Sequence, residues 1–159
     1  MTGGSLSWHE FAQAEQELAN FGEARFREGV AFLATVRQDG SPRVHPVSPD
    51  LIEGHLLVFM EPTSPKGHDL LRDPRYSLHA FVAPGGIEGE FVCRGTAKGV
   101  TGELCARFGM KAANVLERYV LYEFFIEEAL RTVYVEKHPI RTRWIANIGV
   151  RFSEGPPTL

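Results

Sequence analysis

The chain has 159 residues, of which 43% are hydrophobic and 23% charged, and its formal net charge is -3; this is the composition of a globular domain with one core. No apolar run approaches the roughly 18 residues that a membrane span needs, the N-terminus lacks the features of a signal peptide, and no basic block indicates nucleic-acid binding. We therefore expect one cytoplasmic domain, residues 1–159, that binds neither membranes nor nucleic acid.

Cysteine and histidine usage gives no sign of a disulfide framework or a metal centre. Cys93 and Cys105 have no CxxC partner, so a cytosolic protein would keep both as free thiols. The six histidines lack HExxH or any other metal-ligand spacing, so we predict no metal site.

The N-terminal segment predicts a helix. Ser7 and Glu10 have the spacing of a capping box. Apolar residues then recur near helical spacing, at Trp8, Phe11, Leu18 and Phe21. We predict a helix over residues 7–28, broken near Gly22.

Residues 30–60 predict three strands. An apolar strand at 30–36 is followed by Asp39-Gly40, which is a strong hairpin signal, and by a return strand at 43–48. Alternation places Arg43, His45 and Val47 on one face of the return strand and Val44, Pro46 and Ser48 on the other. The proline confines this strand to a sheet edge or a bulge, where backbone groups can meet a ligand. A turn at 49–54 leads to a third strand at 55–60.

The next segment predicts a short helix with a candidate phosphate site at its start. Ser64 suits the N-cap and Pro65 the first helical position, and Asp73-Pro74 ends the helix. The exposed N–H groups and dipole of the helix start lie beside Thr63, Ser64 and Lys66, a combination that favours an anion. The alternative is an ordinary capped surface helix with a solvated lysine.

The remaining chain predicts further strands and a helical stretch. Strands are expected at 75–82 and at 90–100, where Gly95 and Gly99 suggest a bend or bulge. Residues 102–130 are rich in Glu, Leu and Ala, and we predict helices at 103–108 and 112–129. The second helix would be apolar on more than one face, so it is either a lid packed on the sheet or a dimer contact. Strands at 131–137 and 140–147 and a disordered tail at 153–159 complete the chain.

The order of these parts resembles the pyridoxamine phosphate oxidase-like, FMN-binding split-barrel family. The resemblance rests on Val-Ala-Phe-Leu-Ala-Thr-Val, the Arg-Val-His-Pro-Val return strand, Thr-Ser-Pro-Lys-Gly-His-Asp-Leu-Leu-Arg-Asp-Pro and Arg-Gly-Thr-Ala, and it spans about residues 23–100 and 132–145. It implies a mostly β, antiparallel split β-barrel with flanking helices. It also implies a homodimer that binds FMN, or a deazaflavin coenzyme, in a groove between subunits.

The resemblance also implies which residues contact the cofactor. The family's phosphate-binding segment aligns with Ser64 and Lys66, with Thr63 nearby, although Pro65 fills the middle of that segment. The flavin-ring strand aligns with residues 43–47: Arg43, Val44, His45, Pro46 and Val47. Residues 141–144 match a C-terminal segment of the family, which implies that Arg143 and Trp144 approach the ring or phosphate from the second subunit, although a tryptophan is more often core.

The expected function is that of an FMN-dependent oxidoreductase acting on an undetermined small molecule. A flavin carries the redox chemistry, so the sequence singles out no catalytic acid or base. One alternative is a deazaflavin-dependent reductase, whose long anionic tail would use Arg43, Lys66, Arg72 and Arg75. Another is a non-catalytic flavin or haem binder, in which His45, His68 or His79 is the axial ligand.

Overall fold

A computed structural model of the chain describes residues 4–111 and 119–153, in which one antiparallel sheet predominates. Its strands are β1 (Ala31–Val36), β2 (Pro42–Val47), β3 (Asp50–Ile52), β4 (His55–Met60), β5 (Arg75–His79), β6 (Glu90–Val100), β7 (Val120–Val135), β8 (His138–Ile145) and β9 (Gly149–Ser153). Its helices are α1 (Trp8–Ala14), α2 (Gln16–Arg27), α3 (Pro65–Arg72) and α4 (Gly102–Lys111). Within these residues, no helix is both long and apolar enough to cross a membrane.

The sheet is organised around β7. The strands run in the order β2-β1-β5-β6-β7-β4-β3, and β8 pairs with β7 and with β9. The long β7 therefore bonds to β6, β4 and β8 at different points along its length. Every pair is antiparallel, as the sequence predicted, and β2 lies at one end of the order.

The core lies on the inner face of the sheet under α1 and α2. Trp8 of α1 packs edge-on against Phe11, Phe26 and Phe91 at centroid distances of 5.2–6.0 Å. Phe11 in turn lies 4.8 Å from Trp144, which is only 3% exposed. Such aromatic contacts add about 0.5–1.5 kcal/mol each beyond the area that they bury. The flanking helices are thus held by aromatic side chains.

The N-terminal helix breaks earlier than predicted. The capping box forms, with Ser7 Oγ accepting from the Glu10 N–H at 3.2 Å, but the chain leaves helical geometry at Glu15. Gly22, where the break was expected, lies inside α2 against the ring of Phe91. A Cβ atom there would lie 2.5 Å from Phe91 Cζ, so this glycine allows a close helix-to-sheet approach.

The predicted helix at 112–129 is wrong for residues 120–129, and residues 112–118 lie outside the described part of the chain. Residues 120–129 belong to β7, and Tyr122, Phe124 and Ile126 point alternately into the core. Hydrogen bonding to β4 and β6 overrides the helical preference of the Glu- and Leu-rich segment. Tyr122, Phe124 and Ile126 are thus part of the core and not of a helical lid.

Several boundaries also shift. The turn predicted at 49–54 contains the short β3, and the strand predicted at 131–137 is the end of β7. The strand predicted at 140–147 is observed as β8, and the unpredicted β9 pairs with it. Helix α4, predicted at 103–108, packs Phe108 against Leu57 and Leu121. Both cysteines are free, as predicted, and burial raises the pKa of Cys93 to about 12.

A β-bulge between Arg94 and Gly95 bends the pairing of β6 with β7. We predict that Gly95→Ala lowers the free energy of unfolding by about 1–3 kcal/mol, the range for overpacking, because the new Cβ would lie 2.1 Å from the Phe125 carbonyl oxygen. Gly99→Ala on the same strand is the matched control, since a Cβ there meets nothing within 4 Å. Urea unfolding of both variants is the measurement, and equal midpoints would contradict the prediction.

Candidate functional site

Strand β2 presents two different faces at the edge of the sheet. Among the described strands it pairs with β1 alone, and Thr35, Leu33 and Ala31 lie opposite Arg43, His45 and Val47. The side chains of Arg43, His45 and Val47 therefore face inward, where His45 is half-buried and Val47 is buried. Val44 and Pro46 are exposed on the outer face. The predicted edge position and the predicted faces are both confirmed.

The start of α3 departs from an ordinary capped helix. Ser64 has the extended backbone of an N-cap and Pro65 occupies the first turn, but the serine side chain makes no capping hydrogen bond. Its hydroxyl oxygen instead accepts a hydrogen bond from Lys66 Nζ at 2.9 Å. The first helical hydrogen bond runs from the His68 N–H to the Ser64 carbonyl at 3.1 Å, so the N–H groups of Lys66 and Gly67 precede it.

The three residues predicted to bind phosphate are brought together at this point. Thr63 is exposed, Lys66 is half-buried, and Ser64 is only 6% exposed. The buried serine hydroxyl therefore contacts the lysine ammonium from the protein interior. Burial lowers the pKa of Lys66, and the nearby Glu61 carboxylate opposes that shift. A partly desolvated ammonium beside helix N–H groups is suited to an anion.

A buried carboxylate ties α3 to the β1–β2 hairpin. Asp69, 2% exposed, accepts hydrogen bonds at Oδ2 from Thr35 Oγ1 at 2.8 Å and from Arg43 Nε at 2.6 Å. Its other oxygen, Oδ1, accepts from Arg72 at 2.9 Å. Burial alone would raise the pKa of Asp69, but the hydrogen bonds from Arg43, Thr35 and Arg72 outweigh it and hold the pKa below its usual range.

A polar cleft of about 490 Å³ opens over this network. It is lined by Arg37, Gln38, Asp39, Arg43, Pro65, His68, Asp69 and Arg72. Three arginines face two carboxylates, so the lining is cationic. Of the residues predicted to bind the cofactor, Arg43 lines this cleft together with Pro65 of the first turn of α3, whereas Thr63, Ser64 and Lys66 are not among the lining residues. Asp69, Thr35 and Arg37 were not predicted as site residues.

The predicted C-terminal residues do not join this group. Trp144 lies in the core against Phe11, in agreement with the alternative that it is a core residue. Arg143 pairs with Glu128 on the surface, where its Nε donates at 2.6 Å. Neither side chain contributes to the cleft lining.

A second cleft, of about 580 Å³, lies on the outer face and is almost wholly apolar. It is lined by Val30, Phe32, His79, Ala80, Phe81 and Val82. His79 Nδ1 lies 2.8 Å from the Ala80 carbonyl oxygen. Since a carbonyl only accepts, Nδ1 carries the proton and Nε2 of the neutral ring keeps its lone pair. Among the described residues, no cluster of three or more His, Cys, Asp or Glu side chains is arranged to hold a metal ion.

Comparison with solved structures gives neighbours of the same fold at low sequence identity. PhzG from Burkholderia lata 383, solved with tetrahydrophenazine-1-carboxylic acid, has a TM-score of 0.69 and 16% identity over 96% of this chain and 100% of its own. A putative pyridoxamine 5'-phosphate oxidase from Lactobacillus delbrueckii has a TM-score of 0.59 and 20% identity over 72% and 90%. The heme storage protein HutZ from Vibrio cholerae has a TM-score of 0.55 and 18% identity over 72% and 90%.

Sequence comparison identifies the family. A search of the curated proteins finds no match. The family model described as pyridoxamine 5'-phosphate oxidase, however, matches residues 14–133, which is well over half of the chain. That span contains the edge strand β2, the first turn of α3 and the buried Asp69. With its antiparallel split-barrel fold, the chain belongs to the pyridoxamine 5'-phosphate oxidase family.

Proposed function

We propose that the protein is an oxidoreductase that binds flavin mononucleotide at β2 and the start of α3. One observation carries the proposal: Ser64 occupies the N-cap, but its hydroxyl oxygen accepts a hydrogen bond from Lys66 Nζ and not from an N–H group of the helix. The first-turn N–H groups and the lysine ammonium are thereby left for a ligand. A phosphate group matches both, because it accepts several charge-assisted hydrogen bonds at a helix N-terminus.

One set of residues at the site would bind the phosphate of such a cofactor, and another set would contact its ring system. Lys66, Thr63 and the cleft-facing Arg43 would hold the phosphate. The edge backbone of β2 offers hydrogen-bonding groups to the polar rim of a ring system, and Val44 and Pro46 offer apolar cover. A bound flavin supplies the two-electron redox chemistry, and the chain binds and orients it. We assign no substrate and no catalytic acid or base.

The charge pairing favours FMN over a cofactor with a long anionic tail. Of the arginines that such a tail would use, Arg43 and Arg72 are paired with the buried Asp69. Arg75 is paired with Asp73 through hydrogen bonds of 2.6–3.2 Å. The tail would have to replace the carboxylates that the chain already supplies to Arg72 and Arg75, whereas a single phosphate needs only Lys66, the helix start and the terminal N–H groups of Arg43, which bonds Asp69 through Nε.

We also infer that two copies of the chain share the groove beside β2, as the family resemblance implies. Phe32 and Val44 are 49% and 62% exposed on the outer face, where a second copy would cover them. We predict that sedimentation equilibrium gives the mass of two chains and that Val44→Asp shifts the protein towards one chain. A monomeric wild-type protein at the same loading concentration would contradict the inference.

Haem binding is the second candidate, and the apolar cleft at His79 favours it. HutZ, which shares the fold, is described as a heme storage protein. A metal-bound histidine usually donates its other N–H to a carbonyl or carboxylate, and His79 makes such a bond to Ala80. Of the histidines considered from the sequence, His79 alone lines this cleft; His68 is exposed at the polar cleft, and His45 lies on the inner face of β2.

The absorption spectrum of the purified protein separates these candidates. We predict flavin bands, and an FMN mass among the small molecules released by heat. A deazaflavin mass would overturn the choice of FMN. A Soret band that persists in His68→Ala but is lost in His79→Ala would establish the haem candidate instead. A colourless protein that also takes up no added FMN would overturn the flavin proposal.

The phosphate site has its own test in Lys66→Ala. We expect this variant to bind FMN more weakly by about 1–3 kcal/mol, the range for a charge-assisted hydrogen bond, and to bind riboflavin as the wild type does. Fluorescence titration with both flavins measures the difference. Lys98→Ala, which removes an exposed lysine from β6, is the control and should change neither affinity. An unchanged FMN affinity in Lys66→Ala would place the phosphate elsewhere.

A further inference from the structure

Asp69 is placed between the elements that build the phosphate site, but it is not itself suited to bind an anion. Its carboxylate is buried and both oxygens are occupied, by Thr35 and Arg43 on one side and by Arg72 on the other. A carboxylate would repel a phosphate, so a direct role in binding is excluded. Any effect of Asp69 on ligand binding must therefore act through the arginines.

Arg43 can connect Asp69 to a ligand because its guanidinium has donors on more than one side. The hydrogen bond to Asp69 is made by Nε, which leaves the two terminal nitrogens of the planar fork for other partners. Arg43 lines the polar cleft, and its side chain is 26% exposed. The buried carboxylate therefore fixes the plane of the guanidinium while its terminal N–H groups remain next to the cleft.

The carboxylate is itself held in place from the inner face of the sheet. Thr35 is 2% exposed, stands opposite Arg43 in the β1–β2 register and donates its hydroxyl to the same oxygen, Oδ2. Asp69, Thr35 and Arg43 thus form a fixed triangle that joins one helix to two strands. An arginine side chain has several rotatable bonds. The hydrogen bond to Asp69 restricts the Arg43 side chain before any ligand binds, so less conformational entropy is lost on binding.

We propose, resting on the flavin function above, that Asp69 is a positioning residue: through Arg43 it directs two guanidinium N–H groups at the cofactor phosphate and so sets the preference for FMN over unphosphorylated riboflavin. A purely structural Asp69 would hold α3 on the sheet without affecting this preference. A purely electrostatic Asp69 would oppose phosphate binding whether or not Arg43 is present. The three roles predict different results in a double-mutant cycle.

Asp69→Asn is the variant of choice because it preserves volume while changing the hydrogen bonds. An amide offers one acceptor oxygen where the carboxylate offers two, so one of Arg43 and Arg72 would face an N–H₂ group. The charge-assisted bond that remains is also weakened by the loss of the negative charge. The guanidinium of Arg43 should then sample more orientations.

The experiment measures FMN and riboflavin affinities of the wild type, Asp69→Asn, Arg43→Ala and the double variant. We expect Asp69→Asn to lower the ratio of FMN to riboflavin affinity by about 5- to 10-fold, which is less than the loss of a whole charged hydrogen bond because Arg43 is loosened and not removed. In the Arg43→Ala background, Asp69→Asn should change that ratio less than about 2-fold, because the residue through which it acts is gone. Asp73→Asn, at the end of the same helix and paired with Arg75, is the matched control and should leave the ratio unchanged.

The other outcomes overturn the proposal. An unchanged ratio in Asp69→Asn would make the residue structural, and an equal change in both backgrounds would make it a countercharge that acts independently of Arg43. If Asp69→Asn does not fold, Arg43→Lys replaces it: a lysine has no fork with which to contact Asp69 and phosphate together, so the ratio should fall as far as in Arg43→Ala. A wild type that binds neither flavin would refute the proposed flavin function itself, whereas a wild type that binds both flavins equally would refute the phosphate site and this inference.

Discussion

The arrangement of the candidate site depends on one buried charge. A carboxylate taken out of water costs several kcal/mol unless it is paired and hydrogen-bonded, so Asp69 requires donors on both oxygens. The chain supplies them from β1, β2 and α3, namely Thr35, Arg43 and Arg72. Because the same bonds hold the pKa of Asp69 low, the carboxylate is ionised at neutral pH. The edge strand and the helix start are thereby fixed relative to each other.

The sheet determines where that charge can be buried. Strand β7 bonds to three neighbours, and the bulge at Gly95 bends the pairing of β6 with β7. Strand β2 follows at the end of the order, where it is free to meet a ligand. The same topology leaves an apolar outer face with Phe32 and Val44 exposed. A polar cleft lined by Arg43 and an apolar surface formed by Phe32 and Val44 thus lie on either side of one edge strand.

Local signals in the sequence were sufficient to predict the hairpin and α3, whereas long-range pairing was not visible in it. Asp39-Gly40 predicts the turn, Pro46 the sheet edge and Pro65 the start of the helix, and each signal acts within a few residues. The strand at residues 120–129 was predicted as a helix, because its strand character depends on partners in β4 and β6. The sequence did not single out Asp69, since only the folded chain brings Thr35 and Arg43 to it.

The use of arginine limits what this site can recognise. In an open cationic groove each guanidinium adds to the attraction for any polyanion, and recognition follows total charge. In this chain Arg43, Arg72 and Arg75 are each paired with a carboxylate of the chain, so the attraction for a long anionic tail is small. In the proposed site the donors left for a ligand are the start of α3, Lys66 and the terminal N–H groups of Arg43. Recognition then follows geometry, and a compact phosphate is the group whose size and charge such a site favours.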